Sequence, residues 1–88
     1  MRITVTRTGG FAGIPRRAEL DTAGRPDASH LELLARTTLA EGAPTRPMGV
    51  PDGFQYGIDV DGSTVYCADP RLSDVQRELI TTVLKEGA

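Results

Sequence analysis

The groups in this sequence that could attack, titrate or ligate are one histidine, one cysteine and three serines, with a set of carboxylates around Asp59 and Asp61. Nucleophilic catalysis needs a hydroxyl or thiol within reach of a base. Ser29 adjoins His30, but neighbours in a helix do not face one another. Ser63 adjoins a turn, and Ser73 opens a helix. His30 falls in the first turn of a predicted helix and reads as a solvent-exposed or capping-region histidine. Cys67 reads as facing inward, where a thiol resists ionisation and behaves as a small apolar group. Asp59, Asp61 and Asp69 approach the density of a calcium loop, and paired acids can cleave glycosidic bonds. An Asp-x-Asp pair without the remaining loop ligands and a bidentate glutamate is a weak signal, however, and Asp61 is needed for a turn. The expectation is a protein with no catalytic residues, no metal and no cofactor.

The remaining distinctive segment is Gly9-Gly10-Phe11-Ala12-Gly13-Ile14. It is not a phosphate cradle: it lacks the Gly-Lys-Ser/Thr ending of a P-loop and the Gly-x-Gly-x-x-Gly order, and it leads into Pro15 and a strand instead of a helix N-terminus. Two readings stay open. The glycines can supply positive φ for a hairpin connection while Phe11 folds back onto the core. Alternatively, they let the backbone approach a partner while Phe11 and Ile14 fill its pockets.

The elements that must position these residues follow from periodicity. Residues 2–8 alternate, with Ile3 and Val5 on one face and Thr4, Thr6 and Thr8 on the other, as in a half-buried strand. Pro15–Asp21 alternates more weakly and pairs with it as a hairpin, Pro15 being acceptable as the first residue of the strand. Asp27 is placed to cap a helix whose apolar stripe is Leu31, Leu34, Ala35 and Leu39, widened by Leu33 and stopped by Gly42. The prolines at 44, 47 and 51 make residues 41–52 an irregular surface loop.

Phe54, Tyr56, Ile58 and Val60 then alternate with Gln55, Gly57 and Asp59, and Asp61-Gly62 predicts a two-residue type I′ turn. That turn sets Val60 opposite Ser63, Ile58 opposite Val65 and Tyr56 opposite Cys67, and leaves Thr64 and Tyr66 on the other face. Ser73-x-x-Gln76 has the form of a capping box ahead of Val75, Leu79, Ile80, Val83 and Leu84 along one side of a helix. Gly87 and Ala88 are expected to fray. The fold class is α+β, a small antiparallel sheet with two helices in the order ββαββα, as a single domain over 1–88.

Composition narrows the function classes. Eighty-eight residues with a net charge of −2 and no basic cluster beyond Arg16-Arg17 disfavour nucleic acid. A lone cysteine and an alternating N-terminus without an apolar signal-peptide run fit a cytoplasmic location, and no run is long enough to span a bilayer. A monomer is expected.

The strand Ile3-x-Val5 leading into Gly-Gly-Phe-Ala-Gly-Ile at 9–14, followed by Leu20-Asp21-Thr22, resembles emfourin, the family of small protein inhibitors of protealysin and related thermolysin-like zinc metallopeptidases. The resemblance continues through Pro26-Asp27, Phe54–Val60 and the C-terminal helix with Leu72 and Arg77-Glu78-Leu79. It departs at Leu39–Pro44, where the family pattern implies an aromatic-containing stretch. The function it implies is blockage of the peptidase cleft by residues 9–14 together with Pro15, with Met48 and Val50 as an extension of the surface. Thermolysin-like enzymes, by the same resemblance, prefer a bulky apolar group after the scissile bond, a pocket Phe11 or Ile14 would fill. With Cys67 read as inward, His30 on another element and no carboxylate in the loop, the cleft is filled without a zinc ligand. The alternative is an adaptor domain that binds some other protein.

Overall fold

Perfect alternation from Phe54 to Val60, followed by a dipeptide that tolerates positive φ, yields the hairpin that the sequence predicts. In a computed structural model, which describes residues 1–9, 15–44, 53–69 and 71–88, β3 (Phe54–Val60) and β4 (Ser63–Ala68) pair antiparallel in the predicted register: Val60↔Ser63, Ile58↔Val65 and Tyr56↔Cys67. Asp61 and Gly62 take φ of 50° and 92°, the two positive values a type I′ turn requires. Asp59 closes the turn, its carboxylate accepting from the Gly62 N–H at 3.0 Å and the Thr64 hydroxyl at 2.9 Å.

β1 (Arg2–Gly9) and β2 (Arg16–Asp21) form the second hairpin, with Arg7↔Arg16 its last rung before the connection; β2 starts one residue after Pro15. β1 also pairs antiparallel with β3 from Ile3↔Val60 to Gly9↔Phe54, giving the sheet order β2-β1-β3-β4. Since β2 and β3 are both antiparallel to β1, they run parallel to each other with β1 between them. The chain must therefore cross over the sheet, and α1 (Ala28–Glu41) makes the crossing. α2 (Asp74–Glu86) follows β4. The order ββαββα is as expected.

Both helices lie on the face carrying Ile3, Val5, Ala18, Leu20, Tyr56, Ile58, Val60, Val65 and Cys67, and their buried Leu31, Leu34, Ala35, Leu79, Ile80, Val83 and Leu84 complete one core. The opposite face, with Thr4, Thr6, Thr8, Gly57 and Thr64, is polar and carries Glu19 between Arg2 and Arg17 at 3.3 and 3.5 Å. This is the clean in/out alternation of a sheet with one solvated side.

The structure corrects four expectations. Leu33 does not widen the stripe of α1: it is 61% exposed, because it sits about 100° round the helix from Leu34 on the side away from the sheet, and Thr38 is the fully buried residue instead. Asp27 precedes α1 but makes no side-chain cap; its φ, ψ of −98°, 16° lack the extended backbone capping needs, and its carboxylate binds the Arg25 guanidinium at 2.9 Å. That hydrogen bond holds the Asp27 carboxyl below its ordinary range, and Arg25 also reaches Glu86 of α2 at 2.7 Å. The C-terminus does not fray. Ala88 exchanges backbone hydrogen bonds with Glu19 at 2.9 and 3.0 Å, covering the outer edge of β2. Finally, the 41–52 connection is not irregular from its start: Glu41 ends α1, and Ala43 bridges Tyr66 by backbone bonds at 2.8 and 3.1 Å, covering the edge of β4. Both sheet edges are blunted in this way. The capping box of α2 forms as predicted, with Ser73 Oγ accepting from the Gln76 N–H at 3.1 Å and Gln76 Oε1 accepting from the Ser73 N–H at 3.0 Å.

Gly42 does stop α1, though not through a left-handed backbone: its φ is −76°. A Cβ there would lie 2.5 Å from Val65 Cβ and 2.6 Å from its Cγ2, so glycine is what allows the helix end to rest on β4. Gly42→Ala is expected to lower stability by about 1–3 kcal/mol through overpacking, a fall in Tm of at least about 4 °C that thermal unfolding would read. A second outcome concerns Cys67, whose thiol pKa is raised from 9.0 to about 11, first by burial and then by the Asp69 charge. A raised folded-state value favours the folded protein fully below the unfolded value and is lost as pH climbs to the folded one. Stability should fall between pH 9.0 and about 11, with a thiol share on the order of 2 kcal/mol. The Tyr56 hydroxyl, raised by burial and then by Asp69, acts in the same sense. Denaturant titrations across that window should show a shallower loss for Cys67→Ala than for the wild type; equal slopes would contradict the assignment.

Candidate functional site

Strand β1 extends beyond its last rung with β2 and stays bonded to β3 as far as Gly9. Gly9 has φ +89°, a backbone open to glycine at little strain, and a Cβ on it would lie 2.7 Å from the Gly53 carbonyl oxygen. Two separate demands therefore fix glycine at this position. They also fix the neighbourhood: the segment that leaves β1 at Gly9 and the segment that enters β3 at Gly53 meet at one end of the sheet. The end of β4 meets them there, with Asp69 N–H donating to the Phe54 carbonyl at 3.0 Å.

Of the residues the sequence singles out, Gly9 and Pro15 are the two ends of this site, and Pro15 is exposed. Gly10, Phe11, Ala12, Gly13 and Ile14, and likewise Met48 and Val50, lie outside the described residues. What the fold contributes is the placement of their flanks. Gly9, after which the described residues break off before the 10–14 stretch, and Gly53, which follows the 45–52 stretch, have neighbouring backbone at one end of the sheet.

At the Gly9 end of the sheet, on the helix side, lies a cluster that the sequence reading missed. The Arg7 guanidinium carbon stands 4.4 Å from the centroid of the Phe54 ring, within cation–π range. Phe54 and Tyr56 are tilted at 54° with centroids 6.4 Å apart, and Tyr56 donates its hydroxyl to Asp69 Oδ2 at 3.3 Å. Position 7 continues the inward series Ile3, Val5. An arginine in an apolar row was the signal available in the sequence.

The groups considered for chemistry are held elsewhere. His30 lies near the start of α1, which follows the end of β2 remote from the loop, and bonds Glu78 of α2. Cys67 is buried with its thiol held protonated at neutral pH. Asp61 Oδ1 accepts from the Arg2 N–H at 2.8 Å, and Ser73 Oγ donates to Glu41 at 2.9 Å. Among the described residues no group of three or more His, Cys, Asp or Glu is placed to hold a metal ion. The arrangement is one of surface and backbone, suited to contact with another macromolecule.

Comparison with curated proteins and with solved structures returned no match. The family model for emfourin matches residues 5–84, from within β1 to two residues short of the end of α2, and the chain belongs to the emfourin family.

Proposed function

We propose that this protein inhibits a thermolysin-like, protealysin-type zinc metallopeptidase by laying residues 9–15 in the active-site cleft, with no zinc ligand of its own. Family membership supports the kind of partner. The observation that carries the mode of action is the anchorage of the loop. Its first strand, β1, is ladder-bonded on both sides, and its second, β2, is bonded to β1 up to Arg7↔Arg16 and covered along its outer edge by Ala88. A segment held this way loses little further freedom on binding. If the peptidase cuts it, both new ends stay tied to the sheet and do not diffuse out of the cleft.

Phe11 or Ile14 supplies the apolar group for the pocket beyond the scissile position, and Met48 and Val50 widen the contact from the neighbouring segment. Cys67 offers no competing zinc chemistry, because its thiol is buried and protonated. The protein needs no reacting group of its own under this reading; exclusion of substrate is sufficient.

The test is to add purified protein to a thermolysin-like peptidase and follow hydrolysis of a short peptide. Inhibition at micromolar protein or below is the expected result, and unchanged rates there would leave the adaptor reading. Phe11→Ala should weaken inhibition about tenfold or more, ~1.4 kcal/mol, with Tm nearly unchanged. A large drop in Tm would instead assign Phe11 to the core.

A further inference from the structure

At the last rung of the β1–β2 ladder, immediately before the loop, Arg7 stands directly opposite Arg16. Both belong to the helix-side rows, Arg7 in line with Ile3 and Val5 and Arg16 in line with Ala18 and Leu20. Like charges directly opposite on one face repel. The two side chains part: Arg7 turns toward β3 and stacks on Phe54, while an Nη of Arg16 donates to the Leu84 carbonyl in the last turn of α2. Neither has a carboxylate within 4 Å among the described residues, whereas Arg2 and Arg17 on the opposite face share Glu19. The Arg7 Nε is buried and has no hydrogen-bond partner among the described residues. A buried donor left unpaired is rare enough to need an explanation.

We infer that Arg7 and Arg16 form a cationic pair at the foot of the loop that receives an acidic side chain on the rim of the target's cleft. This rests on the inhibitory reading above and gives the partner surface its chemistry. Each guanidinium presents five N–H donors in a planar fork that matches a carboxylate. The contacts described leave most of them unused: a ring face for Arg7 and one carbonyl for Arg16. A carboxylate from the partner would accept from the terminal guanidinium N–H groups that these contacts leave unused and offset the charge gathered at this end of the sheet. Because the pair adjoins Gly9 and Pro15, the partner group that meets it must flank the site where the loop inserts. The stack on Phe54 and the bond to α2 fix both heads in advance, so the pair is ordered before binding.

The test measures inhibition of a thermolysin-like peptidase by the whole protein at about 20 mM and about 500 mM salt, where the screening length differs severalfold. The wild type should associate at least about threefold more slowly at the higher salt. Arg7→Met, which keeps an unbranched chain over Phe54, and Arg16→Gln, which keeps a donor for Leu84, should each weaken inhibition about tenfold and flatten the salt dependence. Arg36→Gln, the same charge change on α1, should leave both unchanged. Tm for each variant separates folding from binding; should Arg7→Met fail to fold, Arg16→Gln and the wild-type salt dependence decide the matter. Wild-type inhibition insensitive to salt, an Arg36→Gln loss as large as the others, or folded Arg7 and Arg16 variants that inhibit like the wild type would each overturn the pair while leaving the inhibitor reading intact. Absence of wild-type inhibition would overturn both.

Discussion

Ladder bonding of β1 on both edges is the constraint on which the rest of this structure depends. Its pairing with β2 is local and makes a hairpin, but its pairing with β3, from Ile3↔Val60 to Gly9↔Phe54, joins two hairpins that would each be marginal alone. That long-range ladder puts Ile3, Val5 and Ile58 side by side with no solvent exposure. It also makes β2 and β3 parallel, so the chain between them has to cross one face, and α1 buries its stripe there. α2 packs on the same face, leaving the threonine-rich side of the sheet to water. In a chain of 88 residues there is room for one such core and little else.

A thin core of this kind leaves polar groups few places to go unpaired, and most of those that resemble active-site chemistry have structural partners. Asp59 ties the turn, Asp61 holds the Arg2 backbone, Ser73 and Gln76 cap α2, and Arg25 joins Asp27 to Glu86. Two buried polar atoms among the described residues lack a partner, Thr38 Oγ1 on α1 and Arg7 Nε, and the second lies at the end of the sheet where β1 leads into residue 10. Gly9 and Gly53 bring two chain segments into contact, an arginine sits on an aromatic ring in an apolar row, and a buried donor lacks an acceptor. The emfourin match over residues 5–84 agrees with a protein that works by contact.

How much of this was legible beforehand varied with the range of the interaction. The β3–β4 register was readable because Asp61-Gly62 fixes the turn and alternation fixes the faces, both within a dozen residues. The capping box of α2 was readable for the same reason. Leu33 was misread because a leucine next to a stripe reads as part of it until the packing direction is known. Asp27 was misread because the Arg25 guanidinium takes its carboxylate and its backbone is not extended, and the position of Arg25 is shared with Glu86, which is remote in sequence. The glycine segment stood out by composition, but nothing local showed that Gly9 would press against Gly53 or that Arg7 would find Phe54.

By itself, then, the sequence determined the identity and order of the elements, the hairpin turn, the inward position of Cys67 and the family to which the loop points. These rest on periodicity, turn chemistry and a short motif, which act between near neighbours. Tertiary structure alone decided that β1 is central, that Ala88 and Ala43 close the two sheet edges, that glycine is required at position 42 by Val65, and that Gly9 and Gly53 meet at one end of the sheet. Each of those facts joins residues far apart in the chain. Their contact depends on how the whole sheet closes around one ladder, which no local pattern encodes.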